Sequence, residues 1–268
     1  MPLDNGKVMI PWPLAERLLS FDLAAPTLRL TISMLHQLDL AGVCGPGSPR
    51  VCPVTWASCA DLRERVGPKG SNSAREIRNA AAALSTSGLV DQIALLHNAT
   101  KLQWQFSEVV WEAMRVRDTS NYVLIDLEEL GQFRSQFQIS VYMNATKRRR
   151  SKAPEFFVPY DSRVSEEANI RRLTKALMSV AKVLDWVCFT ALELQESSPE
   201  PEHFKVRIIH SAARWRYHAY LLFKRPKAVW KVDRSGITKF DPKVVCDERA
   251  DLVQADDMGL DHQVVDPV

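Results

Sequence analysis

Cysteine is scarce and unpatterned in this chain: Cys44, Cys52, Cys59, Cys188 and Cys246 form an odd set without a C-x-x-C pair. An odd number argues against a disulfide framework, the missing C-x-x-C spacing argues against a compact zinc site, and free thiols are expected. Cys44 and Cys52 could share a metal with His36 only across Gly45-Pro-Gly-Ser-Pro49, which reads as a surface loop. Long apolar runs are lacking too. None approaches the roughly 18 to 20 residues that cross a bilayer. Met1 to Lys7 shows no basic segment leading into an apolar one, so no signal peptide is expected and the protein is placed in the cytoplasm, away from membranes.

Catalytic strings are missing as well. There is no G-x-x-x-x-G-K-[ST] phosphate loop, and Gly67-Pro-Lys-Gly-Ser71 has neither the spacing nor a preceding buried strand. H-E-x-x-H, G-x-S-x-G and the calcium-loop pattern are also absent. A metal-dependent nicking enzyme needs clustered histidines beside a tyrosine. His210 and His218 stand near Tyr217 and Tyr220, but not in a tight His-x-His pattern. The expectation is a protein without catalytic residues, cofactor or bound metal.

What is present is ordinary for a globular chain: 46% hydrophobic and 25% charged residues over 268 positions, a length suited to two domains. The formal net charge of +3 hides a gradient. Residues 241–268 carry eight acids against Lys243 and Arg249, a net −6, which leaves +9 on residues 1–240. A basic body suits a polyanionic partner. The acidic tail, poor in large side chains, is expected to lack stable structure.

Between Ser58 and Phe106 the pattern is more specific. Ser58 can cap a helix that carries Leu62 and Val66 and stops at Gly67, and Pro68 to Asn72 reads as a turn. Ser73-Ala-Arg-Glu76 is a capping box opening a second helix, with Ile77, Ala80, Ala81 and Leu84 on one face until Gly88. At about 100° per residue, Arg75, Arg78, Asn79 and Ala82 lie on the other face. Leu89 to Leu96 and Lys101 to Phe106 read as strands around a turn at His97-Asn98-Ala99-Thr100. A preceding helix, Arg29 to Leu40, supplies Leu28, Ile32, Leu35 and Leu38 to a shared core. This is the order of a winged helix-turn-helix, and it makes double-stranded DNA the first partner to consider.

The second half repeats that grammar. Leu127 to Thr146 reads as one helix, followed by Lys147-Arg-Arg-Arg-Ser-Lys152. Ile170, Leu173, Leu177, Val180, Leu184 and Val187 describe a long amphipathic helix with Arg171, Arg172, Lys175 and Lys182 opposite its apolar stripe. After a break at Ser197 to Pro201, Phe204, Val206 and Ile208 alternate as in a half-buried strand, and Trp215 to Phe223 continues it with Arg214, Arg216 and His218 near or on its other face.

With Tyr122-Val-Leu-Ile-Asp-Leu-Glu-Glu-Leu130, Phe133 to Tyr142 and Leu173 to Leu184 in view, the chain resembles the plasmid replication initiators of the iteron-binding type, which carry two tandem winged-helix domains. The resemblance covers residues 25–225 and is one of pattern. It departs where Glu155-Phe-Phe-Val-Pro159 is extended and only Ser162 to Ala168 could supply the second domain's first short helix. It implies an α+β chain of three parts: residues 1–121, a first winged helix for dimerisation and DNA binding; residues 122–240, a second DNA-binding winged helix; and the tail. It also implies binding to direct repeats at an origin, help in opening nearby duplex, recruitment of host helicase or initiator proteins, and a homodimer. A winged-helix transcriptional regulator with one reading domain is the alternative.

The DNA-contacting candidates follow. Arg75, Arg78 and Asn79 lie on the first recognition helix, with Lys69 in the turn before it; Arg171, Arg172 and Lys175 lie on the second. Arginine can contact guanine and asparagine can contact adenine bidentately, and the pattern leaves open which of these reach bases. Lys101, Arg214 and Arg216 are placed as wing residues, and Arg148, Arg149, Arg150 and Lys152 as phosphate contacts.

Overall fold

Helical spacing and strand alternation resolve into a mixed α+β fold in the computed structural model, which describes residues 6–45, 47–66, 75–116, 119–149, 151, 154–194, 201–209, 223 and 226–240. The chain forms two units, Met1–Arg150 and Ser151–Val268. Residues 122–149 group with the first unit, and the physical reason is a strand pair. β5 (Tyr122–Asp126) runs antiparallel to β1 (Lys7–Pro11), joining Val123 to Ile10 and Ile125 to Val8 in register, all four side chains fully buried.

In the first unit, β1 leads into α1 (Trp12–Ser20) and α2 (Ala25–Leu40), each with proline in its first turn, where the missing N–H costs nothing. β2 (Thr55–Ser58), α3 (Cys59–Val66), α4 (Arg75–Ser85), β3 (Val90–Leu96) and β4 (Lys101–Phe106) follow, then α5 (Glu108–Val116), β5, α6 (Leu127–Leu130) and α7 (Gln136–Lys147). Ser58 caps as expected, its Oγ accepting from the N–H of Ala60 at 3.1 Å. The capping serine of α4, Ser73, lies outside the described residues, as do Gly67 to Asn72. On α4, Ile77, Ala80, Ala81 and Leu84 are buried against α2, α3 and β3. The hairpin stands where the sequence places it. Strands β2, β4 and β3 form a three-stranded antiparallel sheet in that order, with Leu102, Trp104 and Phe106 fully buried and the glutamines between them half-buried.

Helix α2 is more deeply enclosed than a one-faced amphipathic reading allows. It packs against α3 and α4 on one side and β1 and α7 on another, so Arg29, Thr31, Ser33, His36 and Asp39 are buried along with its leucines. The Arg29 guanidinium donates through Nη1 to the carbonyls of Phe133 (2.8 Å) and Gly131 (3.4 Å), its buried Nε finds no acceptor among the described residues, and its burial lowers its pKa. Those carbonyls belong to a break that corrects the single helix expected over residues 127–146. Asp126 caps α6, whereas α7 begins afresh at Ser135, whose capping box with Gln138 restarts the hydrogen-bond ladder. Tyr142 then ties α7 to the break, donating to Glu129 Oε2 at 2.7 Å and accepting from the N–H of Asp126 at 3.3 Å.

At the hairpin tip His97, Asn98 and Ala99 all have positive φ (49°, 55° and 64°). Alanine gains nothing from that region, because its Cβ crowds the following carbonyl. Ala99→Gly is accordingly expected to stabilise the first unit by about 0.5 to 1 kcal/mol in urea denaturation. An unchanged or lower midpoint would show that the turn does not carry this strain.

In the second unit, β6 (Glu155–Pro159), α8 (Glu166–Leu184), β7 (Val187–Leu194), β8 (Pro201–Ile209), β9 (Pro226–Asp233) and β10 (Gly236–Phe240) build a five-stranded antiparallel sheet, order β10-β9-β7-β8-β6, with α8 packed chiefly on β9. The expected alternation holds: Phe204, Val206 and Ile208 are buried. Three readings change. Ser162 to Ala168 is no separate helix, since Ser165 caps α8 and residues 166–168 are its first turn. Val187 is the first residue of β7, because Asp185 turns the chain with φ 53° after its N–H closes on Ala181. Strands β7, β9 and β10 add to the helix-and-hairpin unit that the sequence suggests. Residues 210–222 and 241–268, the expected wing strand and acidic tail, lie outside the described residues. No helix among the described residues is long and apolar enough to cross a membrane.

Candidate nucleic-acid interface

The face of α4 opposite its buried stripe carries Arg75, Arg78 and Asn79, all exposed, followed by the small exposed Ala82 and Ala83. Cations therefore sit toward the N-terminal end of the helix and nothing bulky follows them. Glu76 is half-buried beside them, on the side nearer α2. Beside α4 stands the hairpin, where Lys101 is not a free arm. Its Nζ lies 4.2 Å from the centre of the Trp56 ring, and Trp56 is 59% exposed. An exposed cation–π contact of this kind contributes about 0.5 to 1 kcal/mol, enough to orient the lysine. Sequence reasoning misses Trp56; its signal is a large aromatic beside the capping serine, in a segment too short for visible alternation.

The basic run after α7 is divided in its duties. Lys147 places Nζ 3.9 Å from the Trp12 ring, and burial followed by the neighbouring Arg148 charge lowers its pKa. Arg148 donates through Nη1 to the carbonyl (3.2 Å) and side-chain oxygen (3.3 Å) of Asn144, where it also meets the negative end of the α7 dipole. Arg149 is exposed, and Arg150 and Lys152 lie outside the described residues. Arg148 thus finishes the helix that precedes it, while Lys147 lies over the Trp12 ring.

On α8, Arg171, Arg172 and Lys175 are exposed, as expected, while Leu173, Leu177 and Val180 face the sheet. The turn ahead of the helix adds a cation that the sequence does not single out: Arg163, its side chain 87% exposed, paired with Asp161. Arg172 also helps to hold the Asp161 carboxylate in its charged form, after the larger effect of Arg163. Lys69, Arg214 and Arg216 are outside the described residues. In each unit one helix, α4 in the first and α8 in the second, thus presents exposed cations opposite its apolar stripe. Among the described residues no cluster of three histidine, cysteine or acidic side chains is arranged to hold a metal ion. Cys44, Cys52, Cys59 and Cys188 are thiols outside any disulfide, and burial pushes the Cys188 thiol up to about 12, far from reactivity.

No family model matches the sequence, and no curated protein matches it. Among solved structures the chain is similar to the Pi initiator protein crystallised in complex with iteron DNA: 14% identity, a TM-score of 0.60, and coverage of 78% of this chain and 98% of that one. At that identity the likeness is one of fold alone, and its extent takes in parts of both units.

Proposed function

We propose that this protein is a sequence-specific duplex-DNA-binding replication initiator of the cytoplasm, which binds direct repeats at an origin, promotes opening of the adjacent duplex and recruits host replication proteins. The observation that carries the reading is the outward Arg75, Arg78 and Asn79 face of α4, held beside a hairpin in winged-helix order. A helix so built can enter a major groove: its arginines and asparagine supply the bidentate donors and acceptors that distinguish guanine and adenine, and Ala82 and Ala83 let the backbone approach. Lys101 on Trp56 is placed as a wing contact to phosphate or the minor groove. The likeness in fold to an initiator bound to iteron DNA supports repeats as the target.

The second unit is proposed to read the same DNA through α8, with Arg171, Arg172 and Lys175 toward the duplex. A homodimer through the first unit is also proposed. Edge strand β2 carries Trp56, and Val51 and Val54 just before it are 69% and 51% exposed, an apolar stretch that a second copy could cover.

Selection of bound duplexes from a random library by the full-length protein tests the reading. The selected sites should be direct repeats matched by tandem copies beside an AT-rich tract in the encoding DNA, and footprints on them should protect two successive major-groove faces. Protection of one face, unchanged when Arg171, Arg172 and Lys175 become alanine, would instead favour the single-reader regulator.

A further inference from the structure

An exposed arginine ordinarily samples many rotamers, and fixing one costs entropy. Arg163 is 87% exposed yet doubly fixed: its Nε donates to Asp161 Oδ1 at 2.9 Å and its Nη2 to Asp161 Oδ2 at 3.0 Å. The same Oδ1 accepts from the backbone N–H of Arg163 at 3.1 Å. Asp161 is anchored in turn. Its N–H donates to the side-chain oxygen of Asn169 at 3.2 Å, and its carbonyl accepts from Asn169 Nδ2 at 2.8 Å. Asn169 is 5% exposed in the first turns of α8, so the plane of the guanidinium is tied through carboxylate and backbone to the helix itself.

A surface ion pair of this kind contributes little to stability, so the arrangement invites another explanation. The fork with Asp161 uses Nε and one N–H of Nη2. It leaves the end-on edge, Nη1 and the outer N–H of Nη2, as two parallel donors pointing away from the carboxylate. Two parallel donors match two adjacent acceptors, and on duplex DNA the guanine major-groove edge offers such a pair in N7 and O6. Arg171, Arg172 and Lys175 follow on the same helix and supply the field that would bring a duplex to this edge.

We propose that Arg163, buttressed by Asp161, is a guanine-reading residue of the second unit, its end-on edge directed at N7 and O6. This rests on the DNA-binding reading above and adds a specificity residue to it. The fork also holds the Asp161 carboxyl down to about 2, so the buttress stays charged throughout the neutral range.

The test uses the full-length protein, duplexes it selects from a random library, and competitors in which each base pair of the selected site is changed singly. Wild type should lose about 5- to 150-fold in affinity when one particular G·C pair is replaced. Arg163→Ala should erase the preference at that pair and leave the other positions as they were. Arg163→Lys should do nearly the same, since an ammonium cannot form the fork. Asp161→Asn keeps the guanidinium but loosens it, and should give an intermediate preference at the same pair. A uniform loss of affinity across all sequences would make Arg163 a phosphate contact and overturn the proposal, as would unchanged preference in Arg163→Ala. If wild type selects no site, the DNA-binding reading falls with it. If wild type selects a site and only the Arg163 arm fails, that reading stands and this inference alone is lost.

Discussion

Leu84→Ala is expected to cost the first unit about 2 to 5 kcal/mol, because it empties a fully buried site where α4 meets the rest of the core. DNA binding should fall only in proportion to the folded protein that disappears. Arg75→Ala and Arg78→Ala should behave in the opposite way. Both side chains are exposed and the Ile77, Ala81 and Leu84 stripe does not depend on them, so the urea midpoint should hold. Discrimination between the selected site and altered sites should then drop by about 1 to 3 kcal/mol for each bidentate base contact removed. Parallel unfolding curves and competition titrations check both halves. Wild-type discrimination in both arginine variants, or unfolding comparable to Leu84→Ala, would remove α4 as the reading helix.

That contrast is available because the spacing of residues along α4 already separates its two faces. A helix with one wet face and one dry face states its own orientation, and a hairpin with one dry face, as in Leu102, Trp104 and Phe106, does the same. Legibility fails where both sides are covered. Helix α2 buries Arg29, Ser33 and His36 beside its leucines, so polar letters in the sequence do not mark a solvent face. Strand β7 buries every residue from Val187 to Leu192, and such a run has no period of two to betray it; Val187 continues the helical spacing of α8 and so reads as part of that helix. The break before α7 is written in the sequence as Ser135-x-x-Gln138, but Phe133 and Phe137 lie four apart and carry a helical pattern across it.

Charged residues follow a similar rule. The faces of α4 and α8 are readable from spacing alone, since an exposed position depends only on its own helix. Lys147 and Lys101 are not, because what engages them is an aromatic ring distant in the chain, Trp12 for one and Trp56 for the other. Arg163 is hidden for another reason: its meaning lies in the Asp161 fork, and an Asp-Ser-Arg turn looks like any polar loop until Asn169 is seen to clamp it.

Replacing Arg171, Arg172 and Lys175 together with alanine should move stability and DNA binding in opposite directions. Arg171 and Lys175 are like charges one helical turn apart, a spacing at which repulsion destabilises a helix by about 0.2 to 0.5 kcal/mol, and alanine is the best helix former. All three are exposed, while Leu173, Leu177 and Val180 carry the packing, so the variant should be as stable as wild type or slightly more so. DNA affinity should fall nonetheless. Each cation withdrawn from a phosphate flattens the plot of log affinity against log salt by about 0.9, or about 2.7 if all three engage the duplex, and by less if Arg172 stays committed to Asp161. Helix cations that merely solubilise the protein would give an unchanged salt slope. Cations that hold the fold together would lower the urea midpoint. Only a surface kept repulsive for the sake of a polyanion gives a flatter slope on an undiminished fold.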